Sequence, residues 1–191
     1  MSVLLYMPSA LDHFPRERDM IGRMVIEYGE LEWDFCLLVA TILQDNDSAI
    51  KAMYRSRGES QRISVGDALA RNRIADARVR AQYSQTVADM RECLKIRNQY
   101  AHTNWVRTAS HGLAFVNVEE IVTGDAIADS SNLKLNSLTN EILEDQARFY
   151  VGVFQNVRYL NMEMQFVLGE STVTGFHYLN PLQRPLMPLP L

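Results

Sequence analysis

Arg97, Asn98 and His102 have residue types and a spacing that suit chemistry on a phosphodiester. A histidine titrates near neutral pH, so it can exchange a proton with a 2′-hydroxyl or a leaving 5′-oxygen. A guanidinium stays charged and holds two phosphate oxygens, which stabilises charge that develops during cleavage. The 2′-hydroxyl belongs to RNA and is absent from DNA, so the combination points to RNA. Asn98 suits a positioning role toward the histidine or the phosphate.

These three residues fall at the end of a helix that the apolar spacing predicts over Ala77–Ala101. At about 100° per residue, Asn98 and His102 differ by about 40° and share a face. Arg97 and His102 differ by about 140°. They therefore meet only if the arginine bends across, if the last turn distorts, or if two chains contribute.

The sequence Arg97-Asn98 with His102 resembles the signature of the HEPN superfamily, an arginine with a polar residue after it and a histidine four to six positions on. Trp105 is similar to the tryptophan that follows the histidine in many bacterial members. The resemblance covers residues 16–168 and implies a metal-independent endoribonuclease without a cofactor, in a toxin or phage-defence role. It implies a homodimer in which two protomers form one cleft, with Arg97, His102 and Asn98 as catalytic residues.

Neighbouring polar side chains are predicted to bind RNA or phosphate: Lys95, Arg91, Arg107 and Asn104. A regulatory partner or antitoxin is a further expectation from the resemblance. Toxins of the family whose antitoxin is a nucleotidyltransferase carry a tyrosine two residues after the histidine, where this sequence has Asn104. Control through that tyrosine is therefore not expected here.

Other interpretations of the same residues stay open. His102, Arg97 and Lys95 can be helix C-terminal cations that the helix dipole favours. The chain can also be a non-catalytic HEPN-like module that binds a nucleotide, RNA or a protein. A third hypothesis is a regulator that binds a small anion among the central arginines.

The apolar pattern predicts an all-α fold, an antiparallel bundle of four to five helices with a small β-hairpin insert after the fourth. The predicted helices are, in chain order, 16–43, 48–56, 60–75, 77–101 and 139–169. The insert covers about residues 105–122, and a polar loop follows over 123–138. Residues 1–15 are predicted as an N-terminal arm. Residues 169–191 form a Pro-rich tail, either disordered or lying as a strap across the domain or a neighbour.

The charge is unevenly distributed. Residues 51–107 contain twelve basic and five acidic side chains, whereas the whole chain has a formal net charge of −4. Either the basic run is a solvated helical face, or it binds an anionic partner. The 191 residues, 47% of them apolar, suit one globular domain and exclude collagen-like, disulfide-scaffold and wholly disordered classes.

The cysteines and the N-terminus predict a cytoplasmic protein. Cys36 and Cys93 lack a metal-binding spacing and are expected to be buried thiols. The N-terminus has no secretory pattern, and the longest uncharged apolar stretch, residues 35–43, is about half of a membrane span.

The remaining titratable residues are weaker candidates. His13, His111 and His177 have no partner spacing, so no metal site is expected. Four acidic residues of the first helix have two interpretations: they form a solvated face, or one of them orients Arg97 across the bundle. They are Glu27, Glu30, Glu32 and Asp34.

Overall fold

The computed structural model describes residues 9–110, 112–117, 135–169 and 185–188, and it confirms a helical fold with a small β insert after the fourth helix. The five α-helices are α1 (Pro15–Leu43), α2 (Asn46–Tyr54), α3 (Glu59–Ala70), α4 (Ala77–Ala101) and α5 (Asn140–Val167). The third helix ends earlier than predicted, because a 3-10 turn over Arg71–Arg73 follows it. Within the described residues, no helix is long and apolar enough to cross a bilayer.

Short polar side chains set where the helices start. Asp76 Oδ1 accepts hydrogen bonds from the backbone N–H groups of Arg78 (2.8 Å) and Val79 (2.9 Å), and so caps α4. Asp45 and Thr139 cap α2 and α5 in the same way. The capped helices start within a few residues of the positions predicted from the sequence pattern.

Helix α1 lies at the centre of the bundle and contacts all four other helices. The largest fully buried side chains include Tyr28 and Phe35 of α1, Tyr83 of α4, and Phe149 and Tyr150 of α5. The Tyr150 hydroxyl donates a hydrogen bond to the backbone carbonyl of α4 at residue 93 (2.5 Å). The buried aromatic layer therefore holds α4 against both α1 and α5.

The insert forms a three-stranded antiparallel sheet with β1 (Asn104–Arg107), β2 (Leu113–Val116) and β3 (Asn136–Leu138), and β2 lies in the middle. The prediction of a loop over 123–138 is wrong for its last three residues, which form β3. Residues 118–134 lie outside the described part. Trp105 lies 5.7 Å, between ring centroids, from both Tyr100 of α4 and Phe115 of β2, so this aromatic cluster attaches the sheet to the end of α4.

Two segments outside the bundle also contact it. Ala10–His13, in the predicted arm, forms a 3-10 turn, and Leu11 packs against the core. Pro185 of the predicted tail lies on α5 at Gly152, where a Cβ would come within 2.7 Å of the Pro185 Cβ. Gly152 thus makes room for the proline. Residues 1–8, 170–184 and 189–191 lie outside the described part.

Gly66 of α3 provides a test of this packing. A Cβ there would lie 2.7 Å from Phe35 Cε1 and 3.2 Å from Met53 Sδ. We expect Gly66→Ala to lower the free energy of unfolding by about 1–2 kcal/mol, because overpacking exceeds the gain of about 1 kcal/mol in helix propensity. Denaturant unfolding measures it. Ser64→Ala, on the exposed side of α3, should stay within about 0.5 kcal/mol, and equal stability of both variants would contradict this packing.

Candidate functional site

His102 lies at the C-terminal end of α4 and is exposed to solvent. Its backbone leaves the helical conformation (φ −115°, ψ 14°), and its N–H donates to the carbonyl of Asn98 at 3.1 Å. The helix therefore ends on this histidine and leaves the imidazole at the surface, where a ligand can reach it.

Arg97, by contrast, is directed into the bundle. Its Nη2 lies 3.1 Å from Oε1 of Glu59 on α3, and its Nη1 donates to Oδ1 of Asn98 at 2.9 Å. About a quarter of the side chain is exposed. Among the described residues no hydrogen bond joins Arg97 to His102, in agreement with their angular separation on the helix. Asn98 links the two, because its side chain holds Arg97 and its carbonyl holds the His102 backbone.

A second ion pair lies beside the first. Arg62 of α3 donates from Nη1 to Oε2 of Glu32 on α1 at 2.7 Å and from Nε to the carbonyl of Ser56 at 2.9 Å. The Glu32 side chain is 6% exposed and that of Arg62 is 21% exposed. Glu32, Glu59, Arg62 and Arg97 thus form a cluster of two acids and two bases between α1, α3 and α4, which we call the charge cluster.

Burial governs the electrostatics of the charge cluster. It raises the pKa of Glu32, and the hydrogen bond and charge of Arg62 oppose that rise. Burial also raises the pKa of the adjacent Tyr28 hydroxyl, which the charges of Glu32 and Glu59 raise further. The Tyr28 hydroxyl, Glu32 Oε1 and Arg97 Nε are buried without a hydrogen-bond partner in the described part of the chain. Their desolvation is not offset by bonds within that part, so the cluster is a costly inclusion in the core.

The structure disperses the four residues predicted to bind phosphate. Lys95 is exposed and pairs with Glu92 (2.7 Å), and Arg91 approaches Asp67 on α3 (3.4 Å). Asn104 and Arg107 stand at the two exposed ends of β1. Only Asn104 is close to His102 along the chain, two residues after it. Within the described part of the chain, Lys95 and Arg91 form their ion pairs with other acids than the Glu59 that pairs with Arg97.

Within the described part of the chain, at least seven of the twelve basic residues in 51–107 have a carboxylate partner within 4.0 Å. They are Lys51, Arg62, Arg71, Arg78, Arg91, Lys95 and Arg97. Arg55 and Arg57 are exposed, form no ion pair with a described residue, and lie in the turn that leads to Glu59. Their sequence signal is the local Arg-Ser-Arg run before α3, which lies within the longer basic segment.

Sequence reasoning did not identify Glu59 as the partner of Arg97. The sequence left open that one acid of the first helix orients Arg97, but Glu32 of that helix pairs with Arg62 instead. Glu59 lies in the first turn of α3, where an acid is also favoured by the helix dipole, so its type alone does not signal an ion pair with another helix.

Outside the motif the chain has two cysteines and three further histidines. Cys36 and Cys93 are buried and free, and burial raises the pKa of Cys36 to about 11 and that of Cys93 well above its ordinary value. Within the described ranges, no group of three or more His, Cys, Asp or Glu side chains is arranged to hold a metal ion. His13 is exposed, and His111 and His177 lie outside those ranges.

Two surface clefts lie apart from the motif. One, of about 480 Å³, runs between α1 and α5 and is lined by Met20, Arg23, Tyr150 and Val151, among others. The other, of about 360 Å³, has a largely amide lining at the far end of the same two helices. Neither is lined by Arg97, Asn98 or His102, so access to the motif comes from the exposed end of α4.

Comparison with family models, curated proteins and solved structures gave no match to this chain. The similarity to HEPN proteins therefore depends on the arginine–histidine motif and the order of the helices.

The charge cluster gives a pH-dependent prediction. We expect Arg62→Met to lower the free energy of unfolding by about 3 kcal/mol at pH 7, because it leaves Glu32 buried without its cation. The folded-state pKa of Glu32 is then further above its unfolded value, so the loss is small at low pH, where Glu32 is protonated, and grows as the pH rises through the folded pKa. Denaturant titrations between pH 4.5 and 8 measure it.

Two controls accompany this variant. Arg55→Met removes an exposed arginine and should change stability by no more than about 0.5 kcal/mol. Adding Glu32→Gln to Arg62→Met should abolish the extra pH dependence. If Arg62→Met loses the same amount of stability at every pH, the loss does not come from a buried Glu32 without its cation.

Proposed function

We propose that this protein is a HEPN-like endoribonuclease that cleaves RNA without a metal ion, at a site shared by two copies of the chain. One observation carries the proposal: an exposed His102 lies one helical turn after Asn98, whose side chain accepts a hydrogen bond from Arg97, a partly buried arginine of the charge cluster. Buried charges with perturbed neighbours concentrate at functional sites, because structure alone rarely requires them. The resemblance to HEPN proteins gives these residues their roles.

In the proposed reaction the 2′-oxygen attacks the adjacent phosphorus, and the bond from phosphorus to the 5′-oxygen breaks. The products are a 2′,3′-cyclic phosphate and a 5′-hydroxyl. His102 either takes the 2′-hydroxyl proton or protonates the leaving 5′-oxygen, and the second proton transfer falls to the other copy or to water. Arg97 binds the phosphate oxygens as charge develops on them.

Arg97 already binds an anion within its own chain. The Glu59 carboxylate occupies the side of the guanidinium where a phosphate would bind, and Glu59 is itself about 30% exposed. In this proposal RNA therefore displaces Glu59 from Arg97. Arg55 and Arg57, in the turn before Glu59, attract the RNA backbone to this position.

The proposal extends to the partners and location of the protein. A second copy of the chain completes the cleft, and a toxin or phage-defence role with a regulatory partner protein follows from the family resemblance. A cytoplasmic location suits two free, buried cysteines, because reducing compartments keep thiols in that state.

Replacing His102 tests the chemistry directly. We expect His102→Ala to reduce RNA cleavage in excess EDTA by about 100-fold or more, because it removes the proton-transfer group. Incubation of purified protein with mixed RNA, followed by detection of 2′,3′-cyclic phosphate ends, measures it.

Arg148→Ala serves as the control, since it removes an exposed cation of α5 outside the basic segment. It should leave cleavage unchanged. Equal cleavage by wild type and His102→Ala, or no cleavage by the wild type of any RNA, would contradict the proposed activity.

A second candidate function is a non-catalytic HEPN-like module that binds a nucleotide, RNA or a protein. The observation in its favour is that both terminal nitrogens of Arg97 are engaged by the chain's own Glu59 and Asn98. In that case the ion pair is structural and Arg97 does not bind phosphate.

Glu59→Gln separates the two candidates. If RNA displaces Glu59, this variant should bind a 2′-O-methyl RNA, which cannot be cleaved, about 3- to 10-fold more tightly, because Arg97 no longer has a competing carboxylate. Fluorescence anisotropy measures the dissociation constant. Glu144→Gln removes a carboxylate that also pairs with an arginine, Arg16, and should not change affinity. Unchanged affinity in Glu59→Gln would favour the structural role of the ion pair.

A further inference from the structure

The groove between α3 and α4 is lined by a polar stripe from each helix. The four residues of each stripe are spaced by four, three and four positions, so they fall within about 60° of one another around their helix. The stripes are Ser60, Ser64, Asp67 and Arg71 on α3, and Arg91, Lys95, Asn98 and His102 on α4. None of these eight residues is buried. The contact between Arg91 and Asp67 joins the two stripes, so both lie along the same groove.

The two helices run antiparallel, and this gives the groove two distinct ends. At the end that carries His102, Glu59 of α3 pairs with Arg97 of α4. Eight residues further along α3, a distance of about 12 Å, Asp67 pairs with Arg91. The groove therefore leads from the proposed reaction site to a second group of charges.

Two arginines share Asp67. Arg71 donates to it from Nε (2.9 Å) and from Nη2 (2.6 Å), and Arg91 Nη2 lies 3.4 Å from the same Oδ2 atom. Among the described residues, no other carboxylate lies within 4.0 Å of either arginine. One negative charge thus meets two positive charges. The three side chains, which we call the Asp67 cluster, have a surplus of one positive charge.

Both arginine side chains of the Asp67 cluster remain accessible and have unused donors. They are 40% and 41% exposed, whereas Asp67 is 13% exposed. Arg71 Nη1 and the Nε and Nη1 atoms of Arg91 form no hydrogen bond with a described residue. Guanidinium groups bind phosphate oxygens through such donors, and an anion between two arginines also reduces their mutual repulsion. The cluster therefore suits one phosphate group.

The core closes the Asp67 cluster from below. Tyr83 of α4 is fully buried and packs against Phe35 of α1. Burial raises the pKa of the Tyr83 hydroxyl, the charge of Asp67 raises it further, and the charges of Arg71 and Arg91 oppose the rise. All three charges therefore act on one buried hydroxyl. An anion reaches the two arginines from the groove side.

The other acids beside the groove do not cancel the surplus charge. Glu92, next to the α4 stripe, pairs with Lys95 at 2.7 Å, and Glu59 pairs with Arg97. Asp89 is buried about 160° around α4 from Arg91 and accepts a hydrogen bond from the Gln85 side chain. Asp67 is thus the acid of this groove that two cations share.

We propose that the Asp67 cluster binds a backbone phosphate of the RNA and holds the strand in the groove between α3 and α4, on its way to His102. Lys95 and the two serines of the α3 stripe lie between these positions. Arg91 and His102 are eleven residues apart along α4, about 16 Å, so a strand with several phosphates is needed to contact both. The inference rests on the proposed function for its ligand, and it adds a binding position separate from the phosphate that reacts.

The test measures binding of a single-stranded 2′-O-methyl RNA, which cannot be cleaved, by fluorescence anisotropy at several salt concentrations. Arg71→Gln and Arg91→Gln should each weaken binding about 3- to 10-fold, because each removes one cation from the bound phosphate. The triple variant, with both changes and Asp67→Asn, should also lower the slope of log affinity against log salt by about 0.7, because contact with one phosphate is lost. It leaves no unpaired carboxylate behind.

A matched control and a check of folding accompany these variants. Arg148→Gln removes an exposed cation of α5 that likewise pairs with an acid of its own helix, and it should change neither the affinity nor the slope. Far-UV circular dichroism and thermal unfolding establish that each variant is folded. Equal affinity in the wild type, both single variants and the triple variant would overturn the proposal.

Inorganic phosphate separates an RNA strand from a free anion as the ligand. At constant ionic strength, about 1 mM phosphate should leave RNA binding by the wild type unchanged, because a single phosphate lacks the other contacts along the groove. Displacement of the RNA at that concentration would show that the cluster takes a small anion, and would overturn the proposal.

The outcome is independent of cleavage. If the protein binds RNA through the Asp67 cluster and does not cleave it, this inference stands and only the proposed nuclease activity is contradicted. If the variants of the cluster bind and cleave RNA as the wild type does, and His102→Ala does not cleave, the inference is contradicted and the proposed function stands.

Discussion

The pairing of two acids with two bases in the charge cluster is the constraint on which the end of α4 depends. Glu32 is almost fully buried and the other three side chains are 21–30% exposed, and such charges are stable there because each meets an opposite charge, whereas a buried charge without a partner is costly. Glu32 of α1 holds Arg62, and Glu59 of the same α3 helix holds Arg97 of α4. Helix α3 thus joins α1 and α4 through ion pairs as well as apolar contact, and this holds the last turns of α4, which carry Arg97, against α3.

This constraint divides the arginine–histidine motif between two environments. The aromatic cluster around Trp105 stops α4 and turns the chain into the sheet, so His102 stays at the surface. Arg97, five residues earlier on another side of the helix, is pulled toward α3. In the proposed function, a site that uses both side chains therefore needs either an exchange of the Glu59 contact or a second chain.

The sequence predicted the structure well where interactions between residues close in the chain determine it. The bounds of α4 follow from apolar spacing, and they agree with the structure. Strand β3 was not predicted, because three residues, Asn136–Leu138, have too little alternation and pair with a strand 21 to 25 positions earlier. Glu59 was not predicted as a site residue for the same reason: an ion pair between helices leaves no periodic signal along the chain.

The basic segment shows why charge along a sequence does not equal charge at a surface. Its excess of positive residues indicated either a solvated helical face or a segment that binds an anionic partner, but most of these side chains are paired with nearby acids, some from helices outside the segment such as Glu32 and Glu163. What remains near the motif is the short turn with Arg55 and Arg57. In the proposed function, an RNA that binds there derives less of its binding free energy from a general positive field than from replacing the Glu59 carboxylate on Arg97. The selectivity of such a site would depend on the geometry of that exchange, and so on the charge cluster that holds Arg97.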